Sequence, residues 1–183
     1  VFLQNSASNA GGGLFCHGYE DSISLHMIDI NNCVFQENSA GSEGGGMSFY
    51  QAGSEINNCN FIGNSAYFGG GLDSYNCSPK VTNSIFEMNQ ASYRGGGLSC
   101  FTTWGDHPDI LTNPILTNCV FRDNTAADVG GGVYGSSESN PYLTDTIVCS
   151  NVPNQIHGSY MNMGGSCFSS SCFDGDGNGI PDK

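Results

Sequence analysis

Large apolar residues recur along the chain at fixed distances from an asparagine and a glycine triplet. In NNCVFQENSAGSEGGGM, residues 31–47, Cys33 and Phe35 alternate with Val34, which is the period of a β-strand. Asn38 follows three residues after Phe35, and the triplet 44–46 leads into Met47. Nearly the same pattern starts again at residues 57, 82 and 117, and residues 1–14 carry it without its first three positions. The pattern predicts short strands separated by corners, and no helix.

The repeat length indicates the architecture. Equivalent positions are separated by 33, 26, 25, 35 and 27 residues, for the series Phe2, Phe35, Phe61, Phe86, Phe121 and Val148. A base unit of 25–27 residues with short strands matches one rung of a parallel β-solenoid, with insertions in the first and fourth units. A glycine triplet suits a tight corner, since each Gly inside a helix costs about 1 kcal/mol relative to Ala. We therefore predict an all-β parallel β-helix of about six rungs over residues 1–160, followed by an irregular Cys-containing tail over residues 161–183.

Stacking such rungs about 4.8 Å apart places equivalent side chains on top of one another. An inward aromatic ladder is expected from Phe2, Phe35, Phe61, Phe86 and Phe121. An aliphatic ladder is expected from Leu14, Met47, Leu72, Leu98 and Val133. A corner ladder of amides, which satisfies backbone groups of the turn, is expected from Asn5, Asn38, Asn64, Asn89, Asn124 and Asn151. A second polar file would contain Asn32, Asn58, Asn83, Asn118 and Asp145.

The pairing of FxxN with GGGL resembles the polymorphic outer membrane protein repeat, whose units carry FxxN and a GGA[ILV] segment. It is also similar to GGGL-type repeats in large secreted right-handed β-helix proteins of environmental bacteria. The matching units cover about residues 1–135, and a sixth half unit extends the resemblance to about residue 151. This chain has Gly where Ala is usual. The resemblance implies a right-handed β-helix at the cell surface or outside the cell, and it specifies no activity because a solenoid is a scaffold.

Charge excludes some partners. The chain contains four Lys and Arg residues and 17 Asp and Glu residues, so the formal net charge is −13. A phosphate backbone or an anionic lipid surface would be repelled, which argues against nucleic acid as a partner. No run of about 18 apolar residues occurs, so we expect no membrane insertion. The chain starts inside a repeat, without an initiating Met or a signal peptide, and we expect it to be part of a longer secreted precursor.

Nine cysteines in an acidic, lysine-poor chain favour an oxidising, extracellular setting. Cys33, Cys59 and Cys119 share one rung position. A Cys33–Cys59 disulfide fits this spacing, and so does a ladder of thiols that pack as small apolar residues. CFSSSC, residues 167–172, offers a local pair, Cys167–Cys172. The sequence contains no CxxC pair, which argues against a zinc site.

The C-terminal DGDGNGIPD has the oxygen-ligand order of a calcium loop. The candidate ligands are Asp174, Asp176, Asn178, the carbonyl of Ile180, and Asp182. This segment resembles the loops of thrombospondin type 3 repeats and dockerins, which implies calcium as a cofactor. A flexible acidic linker to a further domain is the alternative.

Two insertions follow glycine strands on the same side of the predicted solenoid, at residues 16–22 and 102–109. The second supplies a candidate cluster for a glycan or a metal, made of Trp104, Asp106, His107 and Asp109. A plain connecting loop is the alternative. Asn76, in the sequon Asn-Cys-Ser, is a candidate for glycosylation.

Two classes of function remain open. We expect a non-enzymatic extracellular structural or adhesive protein that stacks end to end, because an uncapped solenoid end exposes unpaired strands. A glycan or another cell-surface molecule is a further expected partner. The competing class is a carbohydrate-binding or polysaccharide-cleaving module, which needs a basic residue beside calcium-holding acids, or paired carboxylates. Against it, Arg94 and Arg122 occupy non-equivalent positions, and Asp73 and Asp128 are interpreted as single acids.

Overall fold

The computed structural model describes residues 1–18, 28–102 and 112–170. These residues form short strands and no helix. The strands build four parallel sheets, and each of the first five windings of the chain adds one strand to each sheet. The predicted all-β parallel β-helix of about six rungs is confirmed.

Each sheet collects equivalent strands from successive rungs. Sheet 1 contains β1 (Phe2–Leu3), β5 (Val34–Gln36), β9 (Asn60–Ile62), β13 (Ile85–Glu87), β17 (Val120–Arg122), β21 (Ile147–Cys149) and β24 (Cys167–Ser169). Sheet 2 contains β2 (Ser6–Ala7), β6 (Ser39–Ala40), β10 (Ser65–Phe68), β14 (Gln90–Arg94) and β18 (Thr125–Ala126). Sheet 3 contains β3 (Leu14–His17), β7 (Met47–Tyr50), β11 (Leu72–Tyr75), β15 (Leu98–Phe101), β19 (Val133–Gly135) and β22 (Ile156–His157). Sheet 4 contains β4 (Ile28–Asn31), β8 (Ser54–Asn57), β12 (Lys80–Thr82), β16 (Ile115–Thr117), β20 (Tyr142–Thr144) and β23 (Met161–Gly164).

The aromatic ladder lies inside sheet 1 as predicted. Phe61 and Phe86 stack with ring centroids 4.6 Å apart and planes only 1° from parallel, and the other neighbouring pairs lie at 4.4–4.9 Å. Val148 takes the next position and Phe168 follows it. The offset between rungs matches the strand spacing, so the sheet itself sets the stacking distance.

Two aliphatic ladders complete the core. The predicted one lies on sheet 3 and is extended by Ile156, which pairs with Val133. The sequence pattern did not reveal the other, which lies on sheet 4 and is buried throughout: Ile30, Ile56, Val81, Leu116 and Leu143. The core is therefore a column of three stacked ladders, and each rung buries its apolar residues against the rungs before and after it.

The asparagine ladder is a continuous hydrogen-bonded column. The Oδ1 atom of Asn64 accepts the backbone N–H of Asn38 and its side-chain amide, both at 3.0 Å. The Nδ2 atom of Asn64 also donates to the carbonyl of Phe35 at 2.8 Å. The same bonds recur from Asn5 to Asn151. Gln155 then accepts both bonds from Asn151, at 3.1 and 2.9 Å, and so closes the column.

Each position of the triplet at residues 44–46 requires glycine for a different structural reason. Gly44 has φ of +61°, a left-handed conformation that favours glycine. A Cβ on Gly45 would collide with the carbonyl of Ser65. A Cβ on Gly46 would lie 2.6 Å from the carbonyl oxygen of Gly71 and 3.0 Å from a ring carbon of Phe61. The triplet therefore turns the chain and also lets neighbouring backbones approach closely.

The second polar file occupies a left-handed corner. Asn32, Asn58, Asn83, Asn118 and Asp145 all have positive φ, between 49° and 56°. Asn tolerates this region better than most residues with a side chain. The Nδ2 atom of Asn118 donates to Oδ1 of Asn83 at 2.8 Å, and Asn58 donates in the same way to Asn32. The prediction of a polar corner file is confirmed.

Strand pairing continues beyond residue 160. Strand β23 pairs with β20, and β24 pairs with β21. Residues 161–169, which the sequence analysis assigned to the tail, therefore add to the solenoid. The rest of that tail, residues 171–183, lies outside the described part of the chain. Among the described residues, no helix is long and apolar enough to cross a membrane.

Candidate functional site

Sheet 3 carries an outward polar groove over three rungs, between the positions of Phe15 and Tyr134. Because side chains alternate across a strand, Leu72 and Ser74 face inward and Asp73 faces outward. Ser48 and Ser99 are the register partners of Asp73 in the neighbouring rungs, and all three are buried. Walls rise on both sides of this polar floor. A site could form here because the floor is polar and shielded from water.

One wall is an aromatic file at the C-terminal ends of the strands. His17, Tyr50, Tyr75 and Phe101 stack in order, with ring centroids 4.9, 4.8 and 5.7 Å apart. The opposite wall comes from the residues before the glycine triplets, where Glu43 bridges to Phe68. Phe68 reaches across to Phe101, with ring centroids 6.4 Å apart.

The walls and the floor enclose a small cavity, here named the carboxylate pocket. It is lined by Glu43, Phe68, Asp73, Tyr75 and Phe101 and has a volume of about 60 Å³. Asp73 forms its floor with an exposed fraction of 1%, while the other four residues are half-buried and form the rim. This volume is far below the roughly 300–1,000 Å³ of sites that enclose a whole small molecule. The pocket can take one chemical group.

Burial dominates the electrostatics of the pocket. It raises the pKa of Asp73 to about 8, the nearby Ser99 hydroxyl opposes the rise, and repulsion from Glu43 adds to it. Burial also raises the pKa of Glu43. Within the described part of the chain, no Lys or Arg pairs with either carboxyl group. The two acids therefore share a poorly solvated space without a compensating cation.

The floor also carries polar atoms without a partner. Oδ2 of Asp73 and Oγ of Ser48 are buried and make no hydrogen bond to any described residue. Leaving a buried polar atom unpaired costs about 1–3 kcal/mol. Such atoms in neighbouring rungs are available to a group that donates hydrogen bonds.

The acids and arginines of the sequence analysis are distributed differently from expectation. Asp73 was interpreted as a single acid, and this is wrong, because Glu43 lies in the same pocket. Asp128 instead pairs with Arg94, whose Nε lies 2.8 Å from Oδ2 of Asp128. Arg122 pairs with Glu87 at 3.1 Å. Both arginines are thus engaged in ion pairs at the surface.

Two signals in the sequence could have located the pocket. Alternation along LDSY, residues 72–75, places Asp73 outward between Leu72 and Ser74. Glu43 directly precedes its glycine triplet, at the position that Phe68 and Arg94 occupy in the next rungs. The repeat of Phe, Asn and the glycine triplet does not mark this position, so the wall was not predicted.

Several predicted site residues lie outside the described ranges. They are the insertion cluster Trp104, Asp106, His107 and Asp109, and the calcium-loop residues Asp174, Asp176, Asn178, Ile180 and Asp182. Among the residues that the structure describes, no group of three or more His, Cys, Asp or Glu side chains is arranged to hold a metal ion.

The cysteine file is a ladder of thiols. Cys33 and Cys59 both carry free thiols, so the Cys33–Cys59 disulfide is not formed. The backbone N–H of Cys33 lies 3.4 Å from Sγ of Cys59, and the N–H of Cys59 donates to Oγ of Ser84 at 3.1 Å. Cys, Ser and Thr interchange in this file because each provides an acceptor for the rung before it.

Two cysteine positions and the candidate glycosylation site remain to be placed in the structure. Cys149, for which the sequence suggested no bridge, is disulfide-bonded. The predicted Cys167–Cys172 pair involves Cys172, which lies outside the described residues. Asn76 is buried, with an exposed fraction of 7%, at a corner with φ of +50°. This position gives a modifying enzyme little access to its amide in the folded chain.

The sheets and their ladders define a parallel β-helix repeat protein. Residues 118–136 match the family model of the Chlamydia polymorphic membrane protein (Chlamydia_PMP) repeat. The matched segment includes the left-handed corner at Asn118, the core residue Phe121, the ladder residue Asn124 and the fifth glycine triplet, residues 130–132. No curated protein and no solved structure matches the chain. The match supports the predicted repeat type.

Proposed function

We propose that this chain is a non-enzymatic structural or adhesive segment of a bacterial surface protein. The observation that carries the proposal is the match of residues 118–136 to a polymorphic membrane protein repeat, because the other rungs have the same ladders in the same register. A scaffold of this kind presents one long face to a partner. Insertions and outward files, rather than the core, then determine what it binds.

Adhesion can be tested with beads that carry the purified chain. Coated beads should bind to cells or to immobilised glycans, and beads coated with the chain after denaturation in urea should not. Equal binding of the two bead types would contradict an adhesive role, because only the folded surface presents the groove.

End-to-end stacking is part of the proposal. It is supported by the first rung, in which Phe2, Asn5 and Leu14 present the same three ladder positions as an internal rung. A further rung of this repeat type, from a second copy of the chain, would continue the ladders with matching strands. Electron microscopy of the purified chain should reveal filaments, and single particles at all concentrations would rule stacking out.

Calcium is proposed as a ligand of the C-terminal loop. The support is the spacing of Asp174, Asp176, Asn178 and Asp182 in the sequence. Calorimetry with calcium chloride should detect one site on the wild-type chain and none on the Asp176→Asn variant. Identical titrations of the two proteins would exclude the loop as the site.

A carbohydrate-binding or polysaccharide-cleaving module is the second candidate. The observation that favours it is the pair of carboxyl groups, Glu43 and Asp73, in a pocket with aromatic walls. The volume of about 60 Å³ argues against it, since a sugar ring placed between two catalytic acids needs more room. Release of reducing ends from neutral and acidic polysaccharides, abolished by Glu43→Gln, would establish this candidate and overturn the non-enzymatic one.

A further inference from the structure

The carboxylate pocket combines three features that point to one kind of ligand. Two carboxyl groups, of Glu43 and Asp73, lie in it with no described cation beside them. Three aromatic rings, of Phe68, Tyr75 and Phe101, form the rest of its lining. One buried oxygen, Oδ2 of Asp73, has no hydrogen-bond partner among the described residues. A ligand that fits must be cationic, so that it stabilises Asp73 in the ionised form that burial disfavours. It must also tolerate aromatic faces and donate a hydrogen bond.

A metal ion does not meet these requirements. Divalent cations take six or more oxygen ligands or several nitrogen and sulfur ligands, and aromatic walls provide none. The described residues contain no cluster of three metal-ligating side chains. An organic cation fits better, because an ammonium group is attracted both to the faces of aromatic rings and to carboxylates.

The unpartnered oxygen distinguishes between organic cations. A primary ammonium group has three N–H donors, one of which can reach Oδ2 of Asp73, whereas a quaternary ammonium group has none. The cavity of about 60 Å³ admits the head group alone, so the rest of the ligand must leave through the rim. The half-buried rings of Tyr75 and Phe101 stack at 5.7 Å along that rim and offer a flat apolar surface to an unbranched alkyl stem.

We propose that the carboxylate pocket binds a primary ammonium group, presented at the end of a lysine side chain on a partner protein. The net charge of −13 favours the approach of such a partner. The ligand class goes beyond the adhesive role proposed above and does not depend on filament formation or calcium. Failure to bind cells would therefore leave this assignment intact, and failure to bind an ammonium group would leave the adhesive role intact.

The test is an NMR titration of the full chain with n-butylammonium chloride at constant ionic strength. The ring resonances of Tyr75 and Phe101 should shift and saturate, while tetramethylammonium chloride and 1-butanol should cause at least tenfold weaker effects. Nα-acetyl-lysine amide should bind like n-butylammonium, and glucosamine should not. Saturation by tetramethylammonium with equal affinity, by glucosamine, or by none of these compounds would overturn the proposal.

Variants complete the test. Asp73→Asn keeps the shape of the side chain and should weaken n-butylammonium binding at least tenfold, and Glu43→Gln at the half-buried rim should do the same to a smaller extent. Glu55→Gln removes one exposed acid that pairs with Lys80 on sheet 4 and should leave affinity within twofold of the wild type. If Asp73→Asn proves unfolded by circular dichroism, the Glu43→Gln result decides. Wild-type affinity in folded Glu43→Gln and in folded Asp73→Asn would exclude the pocket.

Discussion

The side-chain oxygen of Asn89 accepts two hydrogen bonds from Asn64, one from the backbone N–H at 3.0 Å and one from the side-chain amide at 2.9 Å. The amide of Asn89 donates in turn to the carbonyl of Phe61 at 2.9 Å. The same amide also donates to Oδ1 of Asn124 in the next rung at 2.9 Å. One fully buried side chain thus ties three rungs together, and it does so with donors and an acceptor that only an amide of this length provides.

The first prediction concerns Asn89→Asp. The change keeps the shape but replaces the donor to Phe61 with a second acceptor and buries a charge, so we expect a loss of roughly 3–5 kcal/mol in the free energy of unfolding. Urea denaturation followed by circular dichroism measures it. The matched control is Asn83→Asp in the exposed corner file, where the loss should stay below about 1 kcal/mol. Equal losses in the two variants would show that burial and hydrogen bonding of Asn89 add nothing to the cost of the substitution.

The second prediction concerns Gly46→Ala. The added Cβ would lie 2.6 Å from the carbonyl oxygen of Gly71, which belongs to the tightly stacked backbone of the next rung. We expect a loss of more than about 3 kcal/mol or no folded protein. Gly63→Ala is the control, since its Cβ would meet only the flexible side chain of Glu37 at 3.7 Å. Despite its φ of +62°, other rungs carry side chains at this corner, and the cost should be about 1 kcal/mol. A folded, stable Gly46→Ala protein would contradict the close approach of the rungs.

The third prediction is a pH dependence of stability that arises from Asp73. Its pKa is about 8 in the folded chain, against about 3.9 in an unfolded one. Between these values the folded state holds a proton that the unfolded state has released, so stability falls as pH rises from about 4 to about 8. Asp73→Asn removes this pH dependence, because an amide does not titrate. We expect the variant to be more stable than the wild type at pH 7.5 by more than about 2 kcal/mol, and no such gain at pH 4.

Urea denaturation of the two proteins at pH 4, 6 and 7.5 checks this. The titratable groups near Asp73 are Glu43, Cys77 and Cys100. Repulsion from Glu43 acts in the same direction, and both thiols stay neutral over this range because burial raises their pKa. A stability difference that stays constant across the range would show that Asp73 ionises normally in the folded chain.

The fourth prediction concerns thiol reactivity. Burial raises the pKa of Cys77 to about 11 and that of Cys119 to about 12, so little thiolate forms at pH 8. Cys33 is only half-buried. We expect iodoacetamide to modify Cys33 at least about 100-fold faster than Cys77 or Cys119 in the folded chain. Peptide mass spectrometry after timed labelling measures the rates, and labelling in 8 M urea should make them similar. Equal rates without urea would refute the buried thiol ladder.

Much of the fold could be predicted because the sequence contains several copies of one repeat unit. The Asn follows the Phe by three residues in each complete unit, and the apolar residue after the glycine triplet follows that Phe by 11 or 12, so their stacking follows from the spacing of rungs. The ladder on sheet 4 was missed although Ile56, Val81 and Leu116 each stand five residues before the ladder Phe of their rung, because three different residue types share the position and no repeated Phe or Gly marks it. The closing role of Gln155 was missed for a similar reason, since it replaces an asparagine at a different offset.

By itself, the sequence determined the solenoid, its rung length, and which residues form the repeated core. Repetition is local information, and a ladder needs only that each unit fold like its neighbours. Tertiary structure alone decided the carboxylate pocket. Glu43 and Asp73 lie 30 residues apart and belong to different units, at positions with no shared pattern. They meet because one winding of the chain brings a residue before a glycine turn beside the outward face of the next rung, and burial there changes how both acids ionise.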